Sequence, residues 1–370
     1  MKQSTIFVMA IAITMILSLT VRAESSTTDH THHHTMADMS SHQHKTHAPI
    51  GVMGDHTHAK GKWMLSYRYM HMDMTGNRSG TDRISPDTIA TTLLNPFTGP
   101  ATVRVVPTSM TMDMHMVSGM YAPSDWLTVM LMGMWQQKEM EHITYAGMAG
   151  TTVLGTFTAN SEGWGDTRAT GLLRLYHTPR NNIHLNLGIS VPTGSITERG
   201  RVLAPTGANP VLRMPYAMQL GTGTYDLLPG LTWNGNDGGK WSWGAQYNAE
   251  VRLENKNDEG YAWGDKHQLT GWGAYQWAEW MNSSLRLTAM EQGDIDGNDP
   301  LITAPVQTAN PDNYGGQTFE AGLGVNFIIP RGPLADHRLA IEASVPLHRD
   351  VNGTQLERDW SVTVGWQYAF

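Results

Sequence analysis

From residue 62 onward apolar and polar side chains alternate in short runs, and the final run shows the pattern best. In "WSVTVGWQYAF", Trp360, Val362, Val364, Trp366, Tyr368 and Phe370 share one face, while Ser361, Thr363, Gly365, Gln367 and Ala369 share the other. A period of two is that of a strand with one apolar face. Aromatics at both ends of such a run match the interfacial girdles of a membrane barrel. Twelve such segments recur, at 62–74, 108–122, 126–140, 167–177, 181–192, 221–234, 239–254, 262–278, 281–292, 316–329, 336–348 and 356–370.

The connections sort by parity. Those after odd strands, 75–107, 141–166, 193–220, 255–261, 293–315 and 349–355, are mostly long. Those after even strands are short, such as "PRN", "NGND" and "PRGPLAD". Membrane barrels have long extracellular loops and short periplasmic turns. The pattern predicts an all-β, transmembrane antiparallel β-barrel of about twelve strands spanning residues 61–370, seated in the outer membrane.

Residues 1–23 read as a secretory signal: Lys2, an apolar core from Ile6 to Leu19, and a cleavage site at Val21-Arg22-Ala23. Residues 24–60 are polar and lack periodicity, which predicts a flexible, His/Met-rich periplasmic tail.

Composition narrows the chemistry. The chain has no cysteine, which excludes disulfides, thiolate metal sites, cysteine nucleophiles and a lipoprotein anchor. A net charge of -8 argues against a nucleic-acid partner. No phosphate-binding P-loop is present, so any transport is passive. The 24 methionines are far above the usual share.

Arg68 fixes which way the methionines point. An arginine facing lipid at mid-strand costs about 2–4 kcal/mol. Its face in the first strand therefore looks inward, carrying Met64, Ser66, Met70, Met72 and Met74. In the third strand Leu127, Val129, Leu131 and Trp135 suit lipid, which sends Met130, Met132, Met134 and Gln136 inward. The second is ambiguous by pattern: Val117 and Tyr121 suit lipid, and if Asp113 and His115 lie above the bilayer, Met110, Met112, Met114 and Met116 point inward too. Thioethers are soft ligands that favour Cu(I) and also make adaptable apolar filler. The wall therefore reads either as a metal path or as packing.

The tail holds His30, His32, His33, His34, His42, His44, His47, His56 and His58, with Met36, Met39, Asp29 and Asp38 among them. Imidazole suits Cu(II), Zn(II) and Ni(II). The spacing matches no closed tetrahedral zinc site. It reads as a loose metal collector or as a solvated linker. Arg68, Arg174, Arg252, Arg286, Glu250, Glu320 and Glu342 fall on inner faces, as a polar pore wall or a salt-bridged plug. Asp294, Asp296 and Asn298 have calcium-loop spacing without the closing acidic residue, which leaves an extracellular turn.

The segments "LGISVPTGSI" (187–196), "MQLGTGTYDLLPGLTW" (218–233) and the closing "GWQYAF" resemble the outer-membrane barrel transporters labelled meta-pathway phenol-degradation proteins. "APIGVMGDHTHAKGKWMLSYRYMHMDMTGNRSGTD" (48–82) resembles a Met/His-rich, metal-associated branch of them. The resemblance implies a barrel and brings no catalytic motif. The expected function is passive transport or handling of a small solute, first copper or a related soft metal ion. The alternative is a channel for small hydrophobic or aromatic molecules. A barrel hydrolase comes last, because His184 and Ser190 lie about 20 Å apart along one strand. No cofactor is required, copper being a ligand or substrate. The expected partners are outer-membrane lipid, the solute, and a periplasmic metal-handling protein.

Overall fold

The computed structural model describes residues 47–370. The expected signal segment, and His30, His32, His33, His34, His42 and His44, lie outside the described residues.

Eleven strands close a barrel, each antiparallel to its neighbour. They are β1 (Trp63–Gly80), β3 (Val105–Ser124), β4 (Leu127–Tyr145), β6 (Thr167–His177), β7 (Asn181–Val191), β10 (Asp226–Asn236), β11 (Trp241–Arg252), β13 (Lys266–Ala278), β14 (Met281–Gln292), β16 (Gly316–Ile328) and β17 (His337–Ala369). Pairing of β17 with β1 shuts the ring, which leaves it no free edge. Two further strands extend the sheet beyond the ring: β2 (Asp82–Ile84) on β1 and β5 (Val153–Trp164) on β4. Two small ribbons, β8 (Arg199–Arg201) with β9 (Val211–Arg213) and β12 (Tyr261–Ala262) with β15 (Asp296–Gly297), lie in the long loops.

The last strand is 33 residues long and doubles back on itself. Its first limb pairs with β16, from Ile328↔Arg338 to Gly316↔Val351. Its second pairs with β1, from Gly80↔Val351 to Met64↔Ala369. Gly353 takes a φ of 59° at the reversal. The two limbs touch each other through Ser344 and Ser361, whose hydroxyls are 2.8 Å apart. The expected segments 336–348 and 356–370 are these limbs, and the other ten fall in order on the other ten strands.

The boundaries differ most at β4 and β5. The sequence ended the third strand near residue 140 and left 141–166 as a loop, yet β4 continues to Tyr145 and β5 fills 153–164. The reason is an inverted pattern. Thr156, Thr158, Asn160 and Glu162 are exposed, whereas Ala159 and Ser161 are buried. The outward face of β5 is mostly polar and thus unlike a lipid-facing one. In 75–107 a short helix, α1 (Pro86–Thr92), is capped by Ser85, whose hydroxyl accepts from the Thr88 amide at 3.2 Å.

Burial settles the two faces. Leu65, Tyr67, Val117, Val129, Leu131, Leu187, Ile189, Leu285, Leu287, Leu323 and Ile341 are exposed, and the residues alternating with them are mostly buried. Arg68 is 5% exposed and lies inside. Such a molecule is apolar outside and packed inside, as lipid requires. Trp63, Tyr121, Trp126, Trp241, Trp277, Trp280, Phe327 and Phe370 gather at the short-turn end as an aromatic girdle. Among the described residues no helix is long and apolar enough to cross a membrane.

Candidate functional site

The inner wall of β1, β3 and β4 is built in rows of methionine. Strand register sets Met64, Met120 and Met130 side by side at the turn end. Toward the loop end come Arg68, Met116 and Met134, then Met70, Met114 and Gln136, then Met72, Met112 and Lys138, and finally Met74, Met110 and Met140. Met110, Met116, Met130 and Met132 are buried, while Met70, Met72, Met74, Met112, Met114 and Met134 are partly buried. All eleven barrel methionines named from the sequence lie on this one inner surface. The period of two alone decides this, because an inward Met64 forces every second residue inward.

The opposite wall is polar and charged. The Arg286 guanidinium binds Glu342 at 2.6 Å and Glu320 at 3.0 Å, and Arg358 also binds Glu320. A second set joins Arg168 to Glu250 at 3.0 Å and Arg252 to Asp226 at 2.5 Å. Buried charges need partners of this kind, since an unpaired one is strongly destabilising.

Residues 48–61 run as a strap across the lumen between these walls. The sequence placed 48–60 at the end of a flexible tail, and for these residues the structure corrects that. Trp272 of β13 packs on Ala48 and Val52, and Arg338 donates to the Ala48 carbonyl. The Gly51 amide donates to Glu342 at 3.2 Å. His184 and Gln246 lie within hydrogen-bond reach of the Gly54 carbonyl, and Asn234 donates to that of Asp55. Arg174 donates to the Thr57 hydroxyl and the His58 carbonyl, and the His58 amide to Thr128. Irregular backbone at membrane depth is tolerated only where protein or a wet cavity satisfies it, and here polar wall side chains do so. Two glycines permit the close approach. A Cβ at Gly51 would sit 2.6 Å from Glu342 Oε1, and one at Gly365 would sit 2.7 Å from Ile50. The His184 ring is spent on this strap, which leaves it no role toward Ser190.

The described tail histidines come together on the strap. The His47 and His56 rings are 5.9 Å apart and the His56 and His58 rings 4.8 Å apart. Among the described residues, however, no group of three or more His, Asp or Glu is arranged to hold a metal ion. His56 Nδ1 lies 2.8 Å from the Asp55 carboxylate. Burial alone would raise the Asp55 carboxyl, but His56, Arg338 and His47 outweigh it and hold it well below the usual range. Burial, and then the charge of His56, pushes His58 down to about 3, against the pull of Asp55.

A second inward element comes from the loop joining β7 and β10. Lys138 donates to the carbonyls of Ala217 and Gln219 at 3.0 and 2.5 Å, and Gln136 to that of Leu220 at 2.5 Å. This brings Met214 and Met218 onto Met110 and Met140. Above them Tyr216, Tyr261, Ile295, Ile302 and Val306 pack as a cap at the loop end. The sequence missed Met214 and Met218, which sit in "RMPYAMQ", a stretch without periodicity.

No protein-family model and no curated protein matches the chain, so the phenol-degradation label finds no support. Solved structures do match. The COG4313 outer membrane channel from Pseudomonas putida F1 is 14% identical, with a TM-score of 0.57 over 86% of this chain and 99% of that one. A FadL homologue from Pseudomonas aeruginosa scores 0.41 at 10% identity, over 84% and 90% of the two chains. The toluene transporter TodX of P. putida scores 0.42 at 10% identity, over 85% and 91%. At such identities the likeness concerns architecture, and only the first match is close enough to argue from. The chain has the fold of an outer-membrane channel.

Proposed function

We propose that the protein is a passive outer-membrane channel for a soft metal ion, Cu(I) or a close relative, whose path follows the methionine wall. One observation carries this reading. The apolar part of the outer face uses leucine, valine, isoleucine and aromatic rings, yet the apolar positions on the inner faces of β1, β3 and β4 are nearly all methionine. If the lumen needed only grease, the hydrocarbons used a residue away would serve. Thioethers add affinity for soft monovalent ions and none for hard ones. The strap closes the turn end, which the barrel's loop pattern makes periplasmic.

The test is Ag(I) or Cu(I) influx into vesicles carrying the barrel, with and without residues 47–60. Removal of the strap should raise influx, and changing Met70, Met72, Met112 and Met132 to leucine should then reduce it at least tenfold. Undiminished influx in the leucine variant would refute the metal path.

A second reading, a channel for small aromatic molecules, rests on the rings at the loop end. Tyr216 meets Tyr261 at 4.7 Å and Tyr314 at 5.7 Å, and Trp263 meets Tyr314 at 5.1 Å. It predicts that the leucine variant still passes an aromatic solute at the original rate.

A further inference from the structure

The methionine wall is not uniform along its length. At its loop end the row Met74, Met110 and Met140 faces two thioethers from another part of the chain, Met214 and Met218. Met110, Met140, Met214 and Met218 are buried together, and the partly buried Met74 and Met112 pack against them. Met218 is 0% exposed. The remaining apolar members of the cluster are Ala159, Phe157, Ala217 and Leu356, and the His142 ring stacks on Phe157 at 4.7 Å.

Two features set this cluster apart from ordinary packing. The first is how the loop is held. Lys138 and Gln136 grip the carbonyls of Ala217, Gln219 and Leu220, and Gln219 donates to the Met214 carbonyl at 2.7 Å. The polar anchors fix the loop, so the sulfurs are not needed to hold it down. The second is composition. The neighbouring loop cores are made of other residues: Val105, Tyr216, Tyr261, Ile295, Ile302, Val306 and Ala309 in one, and Ile89, Ala90, Val103, Val106 and Tyr145 in the other. At the loop end dry packing uses aliphatic and aromatic side chains, and the other buried methionine cluster, Met64, Met120 and Met130 with Leu172, lies at the turn end.

We infer that Met110, Met140, Met214 and Met218 form an all-thioether binding site for a monovalent soft ion, Cu(I) or Ag(I), with Met74 and Met112 as the approach to it. Four neutral sulfurs leave the ion its single positive charge, and a dry pocket tolerates one charge better than two. A ligand set of thioethers selects against Ca(II) and Mg(II), which take oxygen ligands. The inward loop completes the site, so its two methionines decide whether the ion is held or passes. This deepens the soft-metal reading of the channel, but it concerns binding at equilibrium and not flux.

The experiment uses the full chain in lipid nanodiscs with Ag(I), which is soft and does not change oxidation state. Methionine methyl groups are carbon-13 labelled and followed by NMR during a titration against a competing chelator. The expected result is one tight site with shifts at Met214 and Met218. The double variant Met214→Leu plus Met218→Leu should weaken binding at least a hundredfold. The control pair Met148→Leu plus Met281→Leu, both off the methionine wall, should leave it within threefold. Folding of each variant is checked by its resistance to proteolysis. Wild-type protein with no tight Ag(I), or methyl shifts confined to other methionines, overturns the site even if the leucine variants misfold. Tight binding without vesicle influx keeps the site and removes the transport reading. Influx without tight binding does the reverse.

Discussion

The two halves of the lumen wall solve one problem with opposite chemistry. Both must fill the inside of a closed sheet beneath a strap and a loop. The half made by β1, β3 and β4 does it with thioethers, which demand no partner. The half made by β14, β16 and β17 does it with ion pairs, which demand several each. Arg286 alone needs Glu342, Glu320 and the Thr288 hydroxyl. The methionine half is tolerant and adaptable. The charged half is exacting, and it is the half that receives the strap backbone at Gly51 and Ala48.

The sharpest way to break this contrast is to remove one member of the exacting wall. Glu342→Ala leaves Arg286 short of its principal partner and frees the Gly51 amide. A loss of about 3–5 kcal/mol is expected, as for one partner of a buried pair. Urea unfolding in lipid vesicles measures it, and an unmoved midpoint would show that the charged wall is not strained by the loss.

Next comes the face assignment on which both halves depend. Leu131→Arg puts a charge on the lipid side of β4 and should cost about 2–4 kcal/mol at mid-bilayer. A negligible effect in the same assay would place that face in water.

Acidification probes the strap that lies between the walls. His58 is held neutral, with a pKa near 3 against 6.5 for the free side chain, among His56, Asp55, Arg174 and Lys62. A lowered pKa means that the released strap binds the proton more readily. Docking is therefore unaffected above pH 6.5 and weakens as pH falls below it, by up to about tenfold per unit. Asp55 works in the same direction at lower pH, since its docked form is the ionised one and that advantage is lost below about 3.8. Protease cleavage within residues 47–60 should accelerate from pH 7.5 to 5, and His58→Gln should flatten that dependence.

The smallest effect belongs to the tolerant wall. Met116→Leu and Met132→Leu conserve volume and should each cost less than about 1.5 kcal/mol. A larger loss at either would mean that its sulfur makes a specific contact.

Much of the barrel was legible because membrane strands obey one rule over and over. Alternation from Trp63 onward, the sorting of long and short connections, and the inward demand of Arg68 together placed the strands and the methionine wall. What escaped lay where that rule does not apply. β5 carries a polar outward face, so its alternation runs the other way. The strap has no period at all, and "HAPIGVMGDHTHAK" reads as solvated tail until its backbone is matched to Arg338, Glu342, His184, Gln246 and Arg174 on scattered strands.

The sequence by itself determined which side chains face lipid and which face inward, because a two-residue period leaves a strand no other choice. Only the tertiary structure decided what fills the interior. That outcome depends on which polar side chains from distant strands meet one stretch of backbone, and on whether an aperiodic loop turns inward. No local pattern encodes either.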